Sequence, residues 1–424
     1  MQNNNLLFDW QKIQLKEICS NIYSGGTPST KDESYWNGNI LWLSSGEIKK
    51  RYIISSNQKI TQKGVDNSST KLARENDVLI ASAGQGYTRG NVAFCLIDTY
   101  INQSLISLRT DKRICSEKFL FFNLMDRYDE LRNLSDSNSS RGSLTCEMMG
   151  KLPIYLPPLP TQQKIAAILS AYDDLIENNT RRIKILEEMA QAIYHEWFVN
   201  FRFPGHEGVQ MVESELGLVP EGWEIVKIPD AVIINPRIAL SKEGIKPFLS
   251  MGCLSENTMN VQTIEYREGN SGSKFQNCDT LFARITPCLE NGKTVFVQFL
   301  PTDSDIAFGS TEFIVLRSKT LTPEFVYLLS RTESFRDNAI KSMSGATGRQ
   351  RVQEECFKKY LIAHPDMITL NAFDEVIKPI FQSVYTLSLK NTNLRRTRDL
   401  LLPKLISGEI DVSELNIRIP EAEA

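Results

Sequence analysis

The chain of 424 residues repeats its own pattern at about half its length. Trp10 is echoed by Trp223, and the segment that starts at Asp77 is echoed by the one that starts at Asp279. Three more pairs follow in the same order, namely Leu108-Arg109 with Leu316-Arg317, Glu117 with Glu324, and Arg141 with Arg349. The five separations all lie between 202 and 213 residues. Two copies are too few for a solenoid, so the sequence predicts two similar modules related by a pseudo-twofold or by translation.

Each copy ends in a long segment whose apolar positions step alternately by three and four residues. The first series runs from 165 to 197 and the second from 370 to 405. A 3.5-residue repeat of this length indicates a coiled-coil helix. The predicted seam comprises Ile165, Tyr172, Ile176, Asn179, Ile183, Leu186, Ile193, Ile377, Ile380, Val384, Leu387, Asn391, Leu394 and Leu401.

The helix ends carry their own signals. Thr161 is a candidate N-cap of the first helix, and Gly408 follows the last periodic residue of the second. Pro379 predicts a kink or a later start of the second helix. A single Asn in each seam, Asn179 and Asn391, either fixes the register of the pair or faces solvent at a loosened point.

The front part of each copy reads as α+β. Short apolar runs such as Val78–Ala81, Asn91–Ile97 and Leu105–Leu108 predict strands, as do 294–299 and 312–316. Loops rich in Gly, Ser, Thr and Asn separate them. Helices are expected over 116–134 and 323–341. The predicted fold is therefore α+β, with two mixed α/β modules joined by two long helices that pair as a coiled coil, either parallel or antiparallel.

These patterns predict the domain boundaries. The segments are 1–158 as the first module, 159–203 as the first long helix, 204–222 as a linker, 223–366 as the second module, 367–408 as the second long helix, and 409–424 as a C-terminal tail.

The composition is that of a globular protein, with 41% hydrophobic and 23% charged residues. No stretch approaches the roughly 20 apolar residues of a membrane helix, and the start shows no signal peptide. The eight cysteines form no CxxC pair, which favours reduced thiols and a cytoplasmic location. The net charge is −3, although residues 1–158 carry +3. Charge therefore permits a local DNA-facing surface without requiring one.

Motifs for catalysis are not found. His195, His206 and His364 have no metal-ligand spacing, and the segment before Lys293 lacks the first glycine of a phosphate-binding loop. No nucleophile, base and oxyanion site assemble from the sequence. A binding or scaffolding role is therefore favoured over an enzyme, and no catalytic residue or metal ligand is predicted.

Several segments together resemble a known family. They are SGGTPST at 24–30, LPPLPTQQKIAAIL at 156–169, GLVPEGW at 217–223 and RDLLLPKLISGEI at 398–410. In these the chain is similar to the DNA specificity subunit of type I restriction–modification systems, over essentially its whole length. The resemblance implies two target recognition domains, each reading one half of a bipartite, asymmetric site in double-stranded DNA. It further implies that the two long helices pair as an antiparallel coiled coil and set the spacer between the half-sites.

The resemblance also implies partners. Two adenine methyltransferase subunits use S-adenosylmethionine, and two motor/nuclease subunits use ATP and Mg²⁺, while the specificity subunit binds no cofactor and has no membrane role.

Loop side chains suited to base edges are the candidate DNA contacts. They are Ser24, Thr27, Ser29, Ser44, Ser45, Gln85, Tyr87, Arg89 and Arg141 in the first module, and Ser271, Lys274, Arg284, Thr286, Lys293, Arg349, Gln350 and Arg351 in the second. For any one of them a solvated loop residue is the simpler interpretation, and we expect a minority to touch bases and several to touch phosphate. The alternative function is a coiled-coil adaptor with two ligand-binding modules and no DNA readout.

Overall fold

The computed structural model describes residues 10–84, 86–136, 142–346 and 348–419. The chain divides into two compact units. The first unit holds the residues up to Ile176 and those from Asn393 onward, and the second unit holds Glu177–Thr392. Each unit therefore contains a part of both long helices, which the predicted boundaries treat as separate segments.

The first unit is built on three small sheets. Its described strands are β1 (Gln11–Gln14), β2 (Cys19–Ser24), β3 (Trp36–Leu43), β4 (Tyr52–Ile53), β5 (Gln58–Ile60), β6 (Lys71–Ala73), β7 (Val78–Ala81), β8 (Val92–Cys95), β9 (Thr99–Ile101), β10 (Leu105–Thr110) and β11 (Pro153–Leu156). Its helices are α1 (Leu15–Ile18), α2 (Gln62–Asp66), α3 (Glu117–Met125), α4 (Tyr128–Asp136), α5 (Cys146–Lys151), the first part of α6 (Leu159–Phe198) and the end of the second long helix. The sheet orders are β2-β10-β7-β8-β4, β5-β3-β9-β6 and β1-β11.

The second unit repeats this arrangement. Its strands are β12 (Met211–Ser214), β13 (Gly217–Pro220), β14 (Glu224–Lys227), β15 (Val232–Ile234), β16 (Ile245–Leu249), β17 (Glu265–Glu268), β18 (Ser273–Phe275), β19 (Thr280–Ala283), β20 (Thr294–Phe296), β21 (Ala307–Gly309), β22 (Phe313–Ser318) and β23 (Leu361–His364). Its helices are the last part of α6, α7 (Ile228–Ala231), α8 (Pro323–Arg331), α9 (Glu333–Lys341), α10 (Glu355–Lys358) and the first part of α11 (Met367–Ile406). The sheet orders are β15-β22-β19-β20, β17-β16-β21-β18, β14-β23 and the hairpin β12-β13.

The strand orders confirm the duplication predicted from the sequence echoes. The sheet β2-β10-β7-β8 corresponds to β15-β22-β19-β20, and β5-β3-β9-β6 corresponds to β17-β16-β21-β18. Even the single parallel pairing inside each second sheet recurs, as β3 with β9 and as β16 with β21. The strands β7 and β19 are wholly buried, which explains why neither alternates between apolar and polar residues; β7 is apolar throughout, and β19 is apolar after Thr280.

The helices expected over 116–134 and 323–341 are each broken in two. In the second unit Thr332 separates α8 from α9 because its backbone is extended and its hydroxyl accepts a hydrogen bond from the Phe335 amide. In the first unit Asp126 ends α3, and α4 starts at Tyr128. The strand runs 91–97 and 294–299 are also longer in the prediction than in the structure, where β8 and β20 end at Cys95 and Phe296.

The two long helices contain 40 residues each. Helix α6 begins at Leu159, so Thr161 lies in its first turn and is not the N-cap. It ends at Phe198, before the predicted 203, and Phe201 has a positive φ of 57°.

Helix α11 begins twelve residues before Pro379 and runs through it, so the later start predicted from this proline is wrong. Gly408 follows the end of α11 with a φ of 77°, as a C-terminal cap requires.

Within each unit the helix segments pack antiparallel, as predicted. In the first unit Asp173 of α6 meets Arg398 of α11, and Ile165 shares a core with Leu405. In the second unit Asn179 meets Asn391, and the rings of Tyr194 and Phe373 lie 6.2 Å apart. In both units an earlier residue of α6 is therefore matched with a later residue of α11.

The predicted seam residues fall into two groups. Buried are Ile165, Ile176, Asn179, Ile377, Ile380, Val384, Leu387 and Asn391, and half-buried are Tyr172, Ile183, Leu186, Ile193, Leu394 and Leu401. At four half-buried positions the next residue is buried instead, namely Asp173, Glu187, Tyr194 and Leu402. This one-residue drift follows because an α-helix has 3.6 residues per turn rather than the 3.5 of the sequence repeat.

Candidate nucleic-acid interface

A buried ion pair fixes the central strands of each unit. In the first unit Arg109 on β10 donates two hydrogen bonds of 2.8 Å to the carboxylate of Asp77, which precedes β7. In the second unit Arg317 on β22 donates two of 2.7 Å to Asp279. The hydrogen bonds to the aspartates raise the pKa of both arginines. The strands that carry the loops at 82–91 and 284–293 are thus held in the same way in both units.

The loop between β7 and β8 presents an exposed aromatic side chain. Tyr87 is 87% exposed, at the tip of the loop. Helix α4 supports the loop from behind, since Arg132 donates to the Gly86 carbonyl at 2.7 Å and the Tyr128 hydroxyl donates to the Tyr87 carbonyl at 3.2 Å. An aromatic ring held on a supported loop is suited to stacking on a base or a sugar.

The loop between β19 and β20 is supported in the equivalent way. Arg336 on α9 donates to the carbonyls of Leu289 and Glu290 at 3.2 and 3.0 Å, and Arg331 donates to the Gly292 carbonyl. Arg132 and Arg336 therefore position corresponding loops in the two units. Sequence reasoning did not single out these arginines, because their partners are main-chain carbonyls that carry no sequence signal.

The structure brings four predicted residues of the second unit together. Ile285 and Arg351 form a β-bridge, and the Thr286 hydroxyl donates to the Gln350 carbonyl at 3.1 Å. Arg284 donates to Glu354 at 3.2 Å and to the Val352 carbonyl at 3.0 Å. The Arg351 guanidinium is engaged by Glu312 at 2.7 Å. The segment 350–352 thus lies along 284–286, although more than sixty residues separate them in sequence.

A cavity of about 610 Å³ lies beside this segment, in the second unit. Its lining includes two predicted residues, Lys274 and Arg284, together with Arg237, which the sequence reasoning missed. The signal that could have found Arg237 is its place in an Asn-Pro-Arg run at the end of a strand. Asn235 in that run has a positive φ of 50°, so the chain turns there.

The candidates of the first unit are less concentrated. Ser24 ends β2 and is half-buried, and Thr27 is half-buried with its hydroxyl donating to Gln103. Ser29 is exposed. Ser44 forms a capping box with Glu47 at the short helical turn that contains Ser45, so these two serines have a local structural role.

The remaining candidates are dispersed. Arg89 is 6% exposed and pairs with Asp136, so contact with a base would require this ion pair to break. Lys293 is half-buried and donates to the Met251 carbonyl at 3.2 Å. Ser271 and Arg349 are exposed. Gln85 and Arg141 lie outside the described residues.

The described residues contain no group of His, Cys, Asp and Glu that could hold a metal ion. In the same ranges no helix is long and apolar enough to cross a membrane.

Comparison with known proteins finds similar chains of one class. Residues 8–188 match the family model of the type I restriction modification DNA specificity domain. The type I restriction enzyme MjaIX specificity subunit of Methanocaldococcus jannaschii is 26% identical, covering 96% of this chain and 95% of its own. The HindI specificity subunit of Haemophilus influenzae is 21% identical, covering 95% and 100%.

A solved structure shares the fold. The S subunit of a type I restriction–modification system from M. genitalium superposes with a TM-score of 0.58 at 13% identity, covering 96% of this chain and 97% of that one. Residues 8–188 therefore match a type I DNA specificity domain, and the solved structure shows that the chain shares its α+β fold. Over nearly its whole length the chain is similar to specificity subunits of type I restriction–modification systems.

Proposed function

We propose that this chain is the non-catalytic DNA specificity subunit of a type I restriction–modification complex. Each of its two units reads one half of a bipartite, asymmetric DNA target. One observation carries the proposal: the two units share a strand order but differ in the side chains on corresponding loops. The loop that bears Tyr87 in the first unit corresponds to the loop at 284–293 in the second. A common scaffold with unlike loops is what two different half-sites require.

We propose that the helix pair sets the gap between the half-sites. Each long helix is continuous over 40 residues and contributes to both units. A helix has a fixed rise of about 1.5 Å per residue, whereas a flexible linker of equal length would admit many gaps. The buried polar pair Asn179–Asn391 supports this assignment because it favours one register of the helices.

Two methyltransferase subunits are the proposed partners of the outer helix faces. In the second unit Ile185 and Met189 on α6 are nearly half exposed, at 48 and 47%, and so is Val199 directly after the helix, at 46%. Arg181, Arg182, Glu188, Arg395 and Arg396 are exposed as well. Glu187 and Arg398, by contrast, are buried and serve the packing of this chain. A helix face that mixes exposed aliphatic and charged residues suits docking of a partner.

On this proposal the chemistry belongs to the partners. The methyltransferase subunits use S-adenosylmethionine, the motor/nuclease subunits use ATP and Mg²⁺, and this chain binds no cofactor. The near-neutral charge of the chain fits a division in which the methyltransferase subunits supply much of the contact with phosphate. We therefore expect the isolated chain to bind DNA more weakly than the assembled methyltransferase does.

The test is single-molecule mapping of methylated adenines in the host genome, with and without this gene. The expected result is one bipartite, asymmetric motif that disappears when the gene is removed. Tyr87→Ala and Arg349→Ala form a matched pair, since each alters an exposed loop side chain of one unit. Each is expected to relax the motif in one half only, and in opposite halves.

Two outcomes would contradict the proposal. Methylation that does not depend on the gene would remove DNA readout and favour an adaptor without it. A relaxed motif in both halves from a single loop substitution would show that the units do not read separate half-sites.

A further inference from the structure

We propose that the cavity of the second unit is a seat for a phosphate of the DNA backbone, and that the first unit has no counterpart of it. The inference rests on the proposed function and goes beyond it, because it predicts that the two units make unequal contacts with the phosphates of their half-sites. It is carried by three cations that converge on one cavity and by the residues that replace them in the first unit.

The cavity combines an accessible volume with an excess of positive charge. Arg237, Lys274 and Arg284 line it, and no Asp or Glu is among its lining residues. Arg284 is held by Glu354 and by the Val352 carbonyl, which fixes the direction of its guanidinium. Arg237 and Lys274 form no ion pair with any residue in the described ranges, so their charges are available to a ligand.

The strand registers identify the corresponding residues of the first unit. Asn235 lies opposite Val315 in the second unit, and Tyr23 lies opposite Ser107 in the first. Asn235 therefore corresponds to Tyr23, and Arg237, two residues further on, corresponds to Gly25. Lys274 is paired with Phe308 as Leu72 is paired with Tyr100, so Lys274 corresponds to Leu72. Arg284 follows β19 as Ser82 follows β7. None of the three counterparts carries a charge.

The space itself is also filled in the first unit. The Tyr23 hydroxyl reaches across to the Leu72 carbonyl at 2.7 Å, where the second unit has the shorter Asn235. Gly25 lies directly against β9, since a Cβ there would be 1.8 Å from the Ile101 carbonyl oxygen. A side chain such as that of Arg237 therefore has no room at this place in the first unit.

Phosphate is the ligand that this chemistry favours. Two unpaired cations and one pre-oriented guanidinium provide charge-assisted donors, and arginine binds phosphate oxygens through two parallel hydrogen bonds. Contacts of this kind fix the register of a protein on DNA without reading sequence. The nearby Thr311 and Ser273 supply neutral hydroxyls to the same lining.

The test measures the salt dependence of DNA binding by the full chain, alone and with its methyltransferase subunits. The probe is a 40-base-pair duplex of mixed sequence, and the variant is Arg237→Ala/Lys274→Ala. Each lost phosphate contact reduces the slope of log K against log salt by about 0.9. We therefore expect the slope to fall by about 1.8 and the affinity at low salt to fall about tenfold or more. Lys341→Ala/Lys359→Ala, with the same change of net charge on the same unit, is the control and should leave the slope nearly unchanged.

The outcomes separate the two proposals. If the wild-type chain and its complex bind no duplex DNA, the proposed function itself fails. If both bind and the slope is the same for the double variant and the control, the phosphate seat is wrong. A variant that keeps the slope but loses discrimination between target and random duplex would also overturn it, in favour of base reading. Binding of inorganic phosphate or a free nucleotide by the wild type but not by the variant, with duplex binding unchanged in the variant, would assign the cavity to a small anion instead.

Discussion

Arg317 donates two hydrogen bonds of 2.7 Å to the carboxylate of Asp279, and Arg109 forms the same pair with Asp77. Both arginines and both aspartates belong to the echoes that first revealed the duplication. The repeated sequence signal thus has a physical basis: one residue before a buried strand and one at the end of its neighbour form the same ion pair in each unit.

Arg317→Ala is expected to destabilise the second unit more than Arg109→Ala destabilises the first. Asp77 keeps hydrogen bonds from Ser107, Tyr23 and the Arg74 amide, whereas Asp279 keeps only that of the Gln276 amide among the described contacts. A buried carboxylate that loses its partner costs about 3 kcal/mol, less when its neighbours compensate. Denaturant unfolding of the two variants measures the difference. Equal losses, or a larger loss for Arg109→Ala, would contradict this account.

The pair Asn179–Asn391 predicts a coupled response in the helices. The two amides lie 3.0 Å apart, and both residues are buried. Asn391→Leu is expected to cost about 1–3 kcal/mol because the amide of Asn179 loses this partner in a buried setting. Asn179→Leu/Asn391→Leu should recover most of the loss, since replacing both members removes the unmet polar group. The unfolding free energies of the single and double variants form a double-mutant cycle, and purely additive losses would show that the two side chains do not interact.

Glu187 gives the second unit a pH dependence. Burial raises the pKa of Glu187 above its ordinary value, although the Met259 amide and the Thr258 hydroxyl both donate to it at 2.7 Å. Because the folded pKa is the higher one, the unfolded chain loses this proton first as the pH rises. The free energy of unfolding therefore falls from about pH 4.3 upward, until the raised pKa is passed.

Glu187→Gln should remove this fall while keeping Oε1 as the acceptor of both hydrogen bonds. The variant is expected to match the wild type near pH 4 and to exceed it at pH 8, with Tm higher by about 2–4 °C for each kcal/mol of recovered stability. Glu188→Gln is the control, because Glu188 is exposed and next in sequence. A pH profile of Tm in which the wild type and Glu187→Gln run parallel would exclude Glu187 as the source.

The proposed role of the helices predicts a change in the recognised gap. Deleting Glu177–Thr180 together with Leu389–Thr392 removes both seam asparagines and about 6 Å of each helix. The methylated motif should then have a gap shorter by about two base pairs, at ~3.4 Å per pair. Asn179→Leu/Asn391→Leu, which keeps the helix length, should keep the gap. Methylome mapping decides between these results, and an unchanged gap in the deletion variant would remove the spacer role.

The local patterns of the sequence were sufficient for the duplication, the α+β class and the two long helices, whereas the antiparallel pairing of the helices was expected only from the family resemblance. Runs such as Val78–Ala81 and the apolar steps of α6 are local consequences of burial, so they can be seen without the fold. The breaks at Asp126 and Thr332 were not predicted, because the apolar pattern continues past them and only the packing of α4 and α9 under the loops requires the turn. The start of α6 at Leu159 likewise shows that a capping preference is weaker than tertiary context.

Tertiary structure alone decided which charged side chains are available. Arg89 and Arg398 are as basic in sequence as Arg237, yet the first two are buried in ion pairs with Asp136 and Asp173, and the third lines an open cavity. The sequence therefore determined the scaffold, because the spacing of apolar residues along the chain shows which positions of a helix or strand are buried. Only the fold determined the site, because the partner that neutralises a charge, or leaves it free, is brought from a distant part of the chain.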